Sequence, residues 1–130
     1  MKVTGNLTRG HSNDAGSDLH SMIDIIVPPA DNVIIPTGVK IELPTNTFGL
    51  VQSRSGLAFK FSVEASNAGV IDEGYRGEIK VKLYNHGNEP YHVLKNDRVA
   101  QLIVLPVIYP EIESIKTTER GEGGFGHTGK

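Results

Sequence analysis

The feature that most constrains the fold of this chain is a two-residue hydrophobic period in several short segments. In GEIKVKLYN, residues 77–85, the apolar Ile79, Val81 and Leu83 alternate with charged side chains. The segment VKIEL, residues 39–43, repeats the pattern. Because successive side chains of a β-strand point to opposite faces, this period predicts strands with one buried side and one solvent-facing side.

Two further segments are apolar without alternation. VIIPTG, residues 33–38, and AQLIVLPVIYP, residues 100–110, are continuous apolar runs interrupted by proline or ended by glycine. They are typical of strands buried on both faces, with Pro106 at an edge or a bulge. Turn residues recur about every ten positions, and the only helical candidate is a short segment near RSGLAFKF, residues 54–61. These patterns predict an all-β sandwich or barrel.

Composition narrows the class of protein. The chain has 130 residues, 38% hydrophobic and 22% charged, which indicates one globular domain. A formal net charge of −2 gives no basic surface for nucleic acid, and no apolar run approaches the length of a membrane span. There is no cysteine for disulfides or thiol catalysis, and the histidine spacing predicts no structural zinc. We expect a cytoplasmic protein (in the host-cell interior if viral) that is not secreted and binds neither nucleic acid nor membrane.

The two ends of the chain differ from its middle. The first dozen residues and the last ten or so are polar or rich in glycine, and we expect them to be arms rather than core. Strands that are apolar on both faces need cover, and a domain of this size can obtain that cover by forming an oligomer. We therefore expect a single domain that works as an oligomer.

The segment QSRSGLA, residues 52–58, has the residue types of an anion site. Arg54 offers a planar fork of donors suited to phosphate oxygens, Ser55 offers a hydroxyl, and Gly56 allows backbone amides to approach an anion closely. The alternative is a surface turn in which a serine caps the start of a short helix.

The segment NAGVIDEGYRG, residues 67–77, places acidic side chains in a turn bounded by glycines. Asp72 is a candidate general base for a bound water, and Tyr75 follows three residues later. The preceding GVI offers backbone donors and acceptors that can read the edge of a base. The alternative is an acidic β-turn in which Tyr75 packs at the start of a strand.

Two polar segments accompany the candidate strands. In NDAGSDLH, residues 13–20, Asp14 and Asp18 can serve a hard cation or its waters, although such residues are also common in turns. In NDRVAQL, Asp97 and Arg98 can form a pair with each other. Gln101 is a polar side chain on an otherwise apolar strand and needs a partner, which a ligand can supply.

The C-terminal segment RGEGGFGHTGK, residues 120–130, is either a disordered tail or a lid. Arg120, closely spaced glycines, His127 and Thr128 form a candidate anion nest, and Phe125 can stack on a flat base. The segment is not a Walker A loop, because no G-K-[ST] followed by a helix is present. In the second interpretation it becomes ordered only around a ligand.

The chain resembles the trimeric deoxyuridine triphosphatases (dUTPases) from about residue 14 to its end. Five segments match the family's motifs in order and spacing: DAGSDL, SRSGLA, NAGVIDEGYRG, NDRVAQLI and RGEGGFGHTG. The resemblance implies a jelly-roll or β-barrel-like fold (β-clip) and a homotrimer with active sites shared between subunits. It divides the chain into a core, residues 1–119, and a flexible arm, residues 120–130, which closes a neighbouring subunit's active site.

The resemblance also implies the reaction and its central residues. Family members hydrolyse dUTP to dUMP and pyrophosphate with Mg²⁺, which limits uracil in DNA and supplies dUMP for dTMP synthesis. Asp72 would activate the water that attacks the α-phosphate, and Tyr75 would pack against the deoxyribose and reject UTP. The backbone at Gly69, Val70 and Ile71 would bind uracil.

Other residues would hold the phosphates and the metal. By resemblance, Arg54, Ser55, Gly56 and Gln101 would bind phosphate, and Asp18 would hold Mg²⁺ through water. Phe125 would cover the uracil, and the remaining arm residues would bind the terminal phosphate: Arg120, Gly124, Gly126, His127 and Thr128.

The sequence leaves some points open. Several bacterial members use an asparagine side chain on uracil, and either Ser66 or Asn67 falls near that position. A dCTP deaminase shares the fold and would need a further catalytic acid, for which Glu64 is the candidate. A non-catalytic nucleotide sensor or viral interaction protein is the alternative from another class.

Overall fold

A computed structural model describes residues 1–116 of the chain. Within this range the secondary structure is β except for one short helix. The elements follow in the order β1 (Lys2–Thr4), β2 (Leu7–Thr8), β3 (Ser17–His20), β4 (Ile25–Val27), β5 (Asp31–Glu42), β6 (Thr47–Gln52), α1 (Ser55–Phe61), β7 (Val63–Ala65), β8 (Val70–Ile71), β9 (Ile79–Asn85), β10 (Tyr91–Val93) and β11 (Arg98–Pro106). No helix in this part of the chain has the length and apolar character needed to cross a bilayer.

Two antiparallel sheets and a two-stranded ribbon form the domain. One sheet has the strand order β1-β5-β9-β7, the other has the order β2-β3-β11-β6-β8, and β10 pairs with β4. The inward side chains of both sheets, among them Ile35, Leu83, Leu19 and Leu102, belong to one buried apolar cluster. The predicted all-β fold is confirmed, and its packed antiparallel sheets have a jelly-roll-like arrangement.

The alternating segments form strands as predicted. In β9 the residues Ile79, Val81 and Leu83 are buried, while Lys80 on the opposite face is exposed. The segment VKIEL forms the end of β5, where Val39 and Ile41 are buried. The two-residue period therefore predicted both the strands and their buried faces.

The apolar run at residues 100–110 is only partly a buried strand. Ala100 and Leu102 in β11 are buried, but Val104 is 37% exposed and Ile108, beyond the strand, is 87% exposed. Pro106 is the last residue of β11 and pairs with Thr47, so it ends a central strand rather than marking an edge. The irregularity in β11 lies between Arg98 and Ala100 instead.

The expected N-terminal arm is a pair of edge strands. β1 pairs with β5, and β2 pairs with β3, so the first residues extend both sheets although they are mostly exposed. The predicted short helix is confirmed as α1, but its N-cap is Arg54, which forms no side-chain capping hydrogen bond. Ser55 is instead the first helical residue. Asn96, in the turn before β11, has a positive φ of 75°, a conformation that asparagine tolerates better than most residues.

Candidate functional site

A charged cleft lies where β3, β11 and the start of α1 meet. It has a volume of about 340 Å³ and is lined by Gly10, His11, Asp14, Ala15, Gly16, Asp18, Arg54, Ser55, Arg98 and Gln101. The strand register explains the assembly: Gln101 in β11 lies opposite Asp18 on one side and Gln52, the last residue of β6, on the other. Residues from three separate sequence motifs are thereby brought into one cleft.

Asp18 is the electrostatic centre of the charged cleft. Its Oδ1 lies 3.6 Å from Arg54 Nε, and its Oδ2 lies 4.0 Å from Arg98 Nη1. The Asp18 side chain is only 19% exposed and that of Arg54 25%. Partial burial strengthens the contact with Arg54 relative to water, so the carboxylate orients that guanidinium group, whereas the Arg98 side chain is 55% exposed and its contact is longer and weaker. Two arginines, Arg54 and Arg98, and two carboxylates, Asp14 and Asp18, line the cleft, so its formal charges balance and its guanidinium groups are the donors available to an anionic ligand.

The suggested pair of Asp97 and Arg98 is not formed. Asp97 Oδ2 accepts a hydrogen bond from the amide of Leu94 at 2.9 Å and so closes its own turn. Arg98 extends toward Asp18 instead. Consecutive residues of a chain in the extended conformation point to opposite faces, whereas residues paired across adjacent strands share a face. This favours the contact of Arg98 with Asp18 over a pair with Asp97.

Gln101 finds its partner in the backbone. Its Nε2 donates to the carbonyl of Ser53 at 3.0 Å, which ties β11 to the segment that leads into α1. A Cβ built on Gly16 would overlap the amide end of Gln101, so a larger residue at position 16 would displace this side chain. Gln101 therefore fixes the loop before Arg54 while it lines the charged cleft.

A second cleft, of about 300 Å³, lies beside the turn at residues 72–78, which joins β8 to β9 and is called the hairpin here although these two strands belong to different sheets. Its lining residues are Val51, Ala68, Gly69, Ile71, Tyr75, Glu78, Ile79 and Lys80. Strand β8 is the edge strand of its sheet, so backbone groups on its outer side lie outside the sheet's ladder. The carbonyl of Gly69 accepts from the amide of Val51 at 2.8 Å. A Cβ on Gly69 would lie 2.5 Å from the carbonyl oxygen of Val51, so this approach requires glycine.

Tyr75 is held in a defined position in this hairpin cleft. Its amide donates to the carbonyl of Asp72 at 3.0 Å, which closes a turn, and its hydroxyl donates to the carbonyl of Glu78 at 2.8 Å. The ring lies directly over Gly77, where a Cβ would meet Tyr75 Oη at 2.4 Å. The Glu78 carboxylate accepts from the amide of Gly38 at 2.9 Å. One hydrogen bond therefore holds the backbone of Tyr75 and another holds the hydroxyl at the far end of its side chain, while 46% of the residue is exposed.

Asp72 lies on the other side of the same hairpin. It is exposed and lines a third cleft, of about 430 Å³, together with Phe48, Val70, Glu73, Gly74, Val107 and Tyr109. Val70 and Ile71 are adjacent in β8 and therefore face opposite sides, with Val70 62% exposed and Ile71 8%. Asp72 follows directly and is accessible to a water and to a ligand.

The three clefts share no lining residue. The structure therefore brings Asp18, Arg54, Ser55 and Gln101 together, and separately groups Gly69, Ile71 and Tyr75. The charged cleft and the hairpin cleft are lined by different residues of the described chain.

The remaining predicted residues fall outside these groups or outside the described range. Asn67 is exposed, and Ser66 Oγ accepts from the amide of Ala68 at 3.2 Å. Gly56 has open space around its Cβ position. Six predicted arm residues lie outside the described residues: Arg120, Gly124, Phe125, Gly126, His127 and Thr128.

Sequence reasoning missed two contributions. Arg98 joins the charged cleft, and only its alternation with Val99 could have indicated that it faces Asp18 rather than Asp97. Glu78 supports Tyr75 through its carbonyl and contacts Gly38 through its carboxylate. No local signal identifies Glu78, because its partner Gly38 is far away in the sequence.

The comparisons with known proteins identify the family of this chain. The family model described as dUTPase matches residues 4–129. A deoxyuridine 5'-triphosphate nucleotidohydrolase of Clostridioides difficile is 50% identical over 123 residues, covering 92% of this chain and 86% of the relative. The mitochondrial enzyme of the same name from Homo sapiens is 48% identical over 126 residues, covering 95% of this chain. This chain spans 50% of the length of that human relative.

The fold is shared with solved structures as well. A mutant dUTPase from phage phi11 of S. aureus superposes with a TM-score of 0.82 at 25% identity, covering 91% of this chain and 97% of that chain. That protein is described as coordinating a structural Mg(II) ion.

Proposed function

This chain belongs to the dUTPase family and is a dUTP hydrolase, and we propose that it converts dUTP to dUMP and pyrophosphate with Asp72 as general base. The observation that carries the mechanism is the rigid turn at residues 72–78. It presents the Asp72 carboxylate on one side and the fixed ring of Tyr75 on the other. A base and a sugar-contacting ring are thus a few residues apart on one turn.

The charged cleft is the proposed phosphate site. Arg54, with Arg98 beside it, supplies guanidinium donors for phosphate oxygens, and Ser55 and Gly56 add a hydroxyl and an unobstructed backbone. Gln101 holds the preceding loop through Ser53. Charge that develops on the leaving pyrophosphate would be stabilised by donors already oriented by Asp18.

The residues present fit Mg²⁺ held through water. Asp18 and Asp14 place carboxylate oxygens in the same cleft, and Asp18 is already flanked by two guanidinium groups, which favours an indirect contact. Mg²⁺ prefers oxygen ligands and keeps several waters when it is bound with substrate phosphates. When bound, the ion would neutralise phosphate charge and fix the conformation of the triphosphate chain.

The hairpin cleft is the proposed site of the base and the sugar. The backbone of Gly69, Val70 and Ile71, at the edge strand β8 and just before it, would bind uracil, and either Ser66 or Asn67 lies close by in sequence. The carbonyl of Gly69 also accepts from the amide of Val51. Tyr75 would contact the deoxyribose, leaving no room for a 2′-hydroxyl. Because the ring is held at its hydroxyl and over Gly77, it cannot move aside at low cost.

Asp72 would perform the proton transfer. Its carboxylate takes a proton from a water whose oxygen attacks the α-phosphorus, and the bond from that phosphorus to the bridging oxygen breaks. The electron pair leaves with pyrophosphate, so dUMP and pyrophosphate are the products. Such a displacement depends on positioning and on charge stabilisation rather than on a covalent enzyme intermediate.

The separation of the clefts supports a site shared between subunits. The charged cleft and the hairpin have no lining residue in common, although one dUTP must contact both. We propose a homotrimer in which one subunit supplies the charged cleft and another the hairpin. The arm at residues 120–130 would close the site from a third subunit, with Phe125 over the uracil and Arg120, Gly124, Gly126, His127 and Thr128 at the phosphates.

The biological role follows from the reaction. Removing dUTP would limit uracil in DNA, and dUMP would supply dTMP synthesis. The cytoplasmic location stays a prediction, and one of the relatives is a mitochondrial protein.

The test is pyrophosphate release by the purified protein with Mg²⁺, comparing dUTP, UTP, dTTP and dCTP. We expect release from dUTP alone. Binding of dUTP without release would favour a nucleotide sensor, and ammonia release from dCTP would favour a deaminase. Equal release from dUTP and UTP would contradict the role of Tyr75.

A further inference from the structure

The carboxylate of Glu73 is the meeting point of three chain segments. Its Oε1 accepts a hydrogen bond from the amide of Asn46 at 2.7 Å and another from the hydroxyl of Tyr109 at 2.9 Å. Asn46 lies in the turn between β5 and β6, and Tyr109 lies in the segment that follows β11. One side-chain oxygen therefore links the turn at Asp72 to two distant parts of the chain.

The two partners of Glu73 are also linked to each other. The carbonyl of Asn46 accepts from the amide of Val107 at 2.9 Å. Asn46 adopts a positive φ of 61°, a conformation that asparagine tolerates better than most residues. The amide and the carbonyl of Asn46 are thus both used, one on Glu73 and the other on the segment leading to Tyr109.

The side chain of Arg76 also stabilises the turn that contains Asp72 and Glu73. Arg76 Nη1 donates to the carbonyl of Glu73 at 2.9 Å and to that of Tyr75 at 3.2 Å. The amide of Tyr75 donates to the carbonyl of Asp72 at 3.0 Å. Backbone and side chain of Glu73 are therefore both engaged, directly next to the proposed general base.

The electrostatics keep Tyr109 a donor. Its hydrogen bond to Glu73 raises the pKa of the Tyr109 hydroxyl, and partial desolvation and the charges of Glu73 and Asp72 raise it further. The phenol therefore remains protonated around neutral pH. A protonated phenol can donate to a carboxylate, so the two hydrogen bonds that Glu73 accepts, from Asn46 and from Tyr109, persist under physiological conditions. These two hydrogen bonds are called the clamp below.

We propose that Glu73 is a positioning residue for the proposed dUTP hydrolysis. It fixes the Asp72 turn against the turn at Asn46 and against the segment that follows β11. Glu73 lies in the third cleft beside Asp72 but acts through its hydrogen bonds and transfers no proton. Small displacements of a catalytic group slow a reaction strongly while leaving substrate binding largely intact. The inference rests on the proposed function for its kinetic readout.

The experiment compares Glu73→Ala, Glu73→Gln and Tyr109→Phe with Glu42→Ala, an exposed glutamate at the end of β5. We expect kcat for dUTP to fall about tenfold in Glu73→Ala, with KM changed less than about twofold. Glu73→Gln keeps an acceptor oxygen and should recover most of kcat. Tyr109→Phe removes one of the two bonds and should cost about threefold, and Glu42→Ala should match the wild type.

The double variant Glu73→Ala/Tyr109→Phe separates coupling from independent effects. We expect it to be no slower than Glu73→Ala, because Tyr109 acts through the same oxygen. Additive losses would contradict the clamp, as would equal losses in Glu73→Gln and Glu73→Ala. Should Glu73→Ala fail to fold, unchanged kcat in Tyr109→Phe would still overturn the proposal.

Amide hydrogen exchange gives a readout that does not need catalysis. The Asn46 amide should exchange faster in Glu73→Ala and remain protected in Glu73→Gln and Glu42→Ala. A wild-type protein without dUTP turnover would refute the proposed function but leave this exchange test of the clamp intact. Unchanged exchange at Asn46 in Glu73→Ala would refute the clamp whatever the activity.

Discussion

The charged cleft and the hairpin cleft are built by opposite means. The first is made of long side chains from three motifs, with Asp18 holding Arg54 and Arg98 at 3.6 and 4.0 Å. The second is made of backbone at the edge strand β8 and of one ring, Tyr75, held by a backbone carbonyl. Charge dominates the first cleft, and shape dominates the second.

The difference indicates how recognition is divided. Triphosphate is common to all nucleoside triphosphates, so a cleft that binds it by charge contributes affinity but little selectivity. Base and sugar distinguish one nucleotide from another, and a rigid backbone edge with a fixed ring can exclude groups that do not fit. We therefore expect variants of the charged cleft to weaken all substrates equally, and variants of the hairpin to change selectivity or chemistry.

The largest effect should come from the hairpin's acid. Asp72→Asn keeps the size of the side chain but removes the base, so kcat should fall at least about a thousandfold while dUTP still binds. Turnover is measured by pyrophosphate release and binding by calorimetry. Normal turnover in this variant would remove Asp72 from the mechanism.

A smaller but severe loss should follow deletion of residues 120–130. We expect a folded oligomer whose turnover is reduced about a hundredfold, because donors to the terminal phosphate are lost. Sedimentation and thermal unfolding report the assembly, and pyrophosphate release reports activity. An oligomer that falls apart, or one that stays fully active, would contradict the assignment of this segment as a lid.

Arg54→Lys tests the charged cleft. Lysine keeps the charge but loses the planar fork, so kcat/KM for dUTP should fall about thirtyfold. The ratio of dUTP to UTP turnover should stay the same, because the sugar is read elsewhere. A marked change in that ratio would break the division between the two clefts.

Gly77→Ala tests the shape of the hairpin with a single methyl group. A Cβ at residue 77 would meet Tyr75 Oη at 2.4 Å, so the ring must move, whereas a Cβ at Gly74 meets nothing within 4 Å. We expect the preference for dUTP over UTP to fall about fivefold in Gly77→Ala and to persist in Gly74→Ala. Equal preferences in the two variants would show that the ring position does not set sugar selectivity.

The sequence predicts local features of this molecule better than its cross-strand partners. The period of Ile79, Val81 and Leu83 predicted β9 and its buried face, and RSGLAFKF predicted α1. The capping serine was wrong, because Arg54 is the N-cap. The first dozen residues are mostly exposed and lie outside the buried core as expected, but the pairing of β1 with β5 and of β2 with β3, which joins distant segments, was not predicted. Local spacing carries no information on such pairs.

Prediction of the functional site from the sequence was limited in the same way. The motifs identified Asp18, Arg54 and Gln101 as candidates, but their convergence depends on the order β3-β11-β6. Arg98 faces Asp18 because of strand register, and the Glu78 carboxylate contacts the amide of Gly38 at the register shift between Pro36 and Val39. Residue type therefore predicted which side chains matter, whereas sheet topology determined which of them act together.

In the proposed trimer, one substrate uses the charged cleft of one subunit and the hairpin of another. The most direct test co-expresses Arg54→Ala and Asp72→Asn chains carrying different tags and measures pyrophosphate release from dUTP by the purified mixed oligomers. If the site is shared, one of the three sites in each mixed trimer combines two intact clefts, and activity returns to about a third of wild type. Mixed oligomers no more active than the two parent variants would contradict the claim.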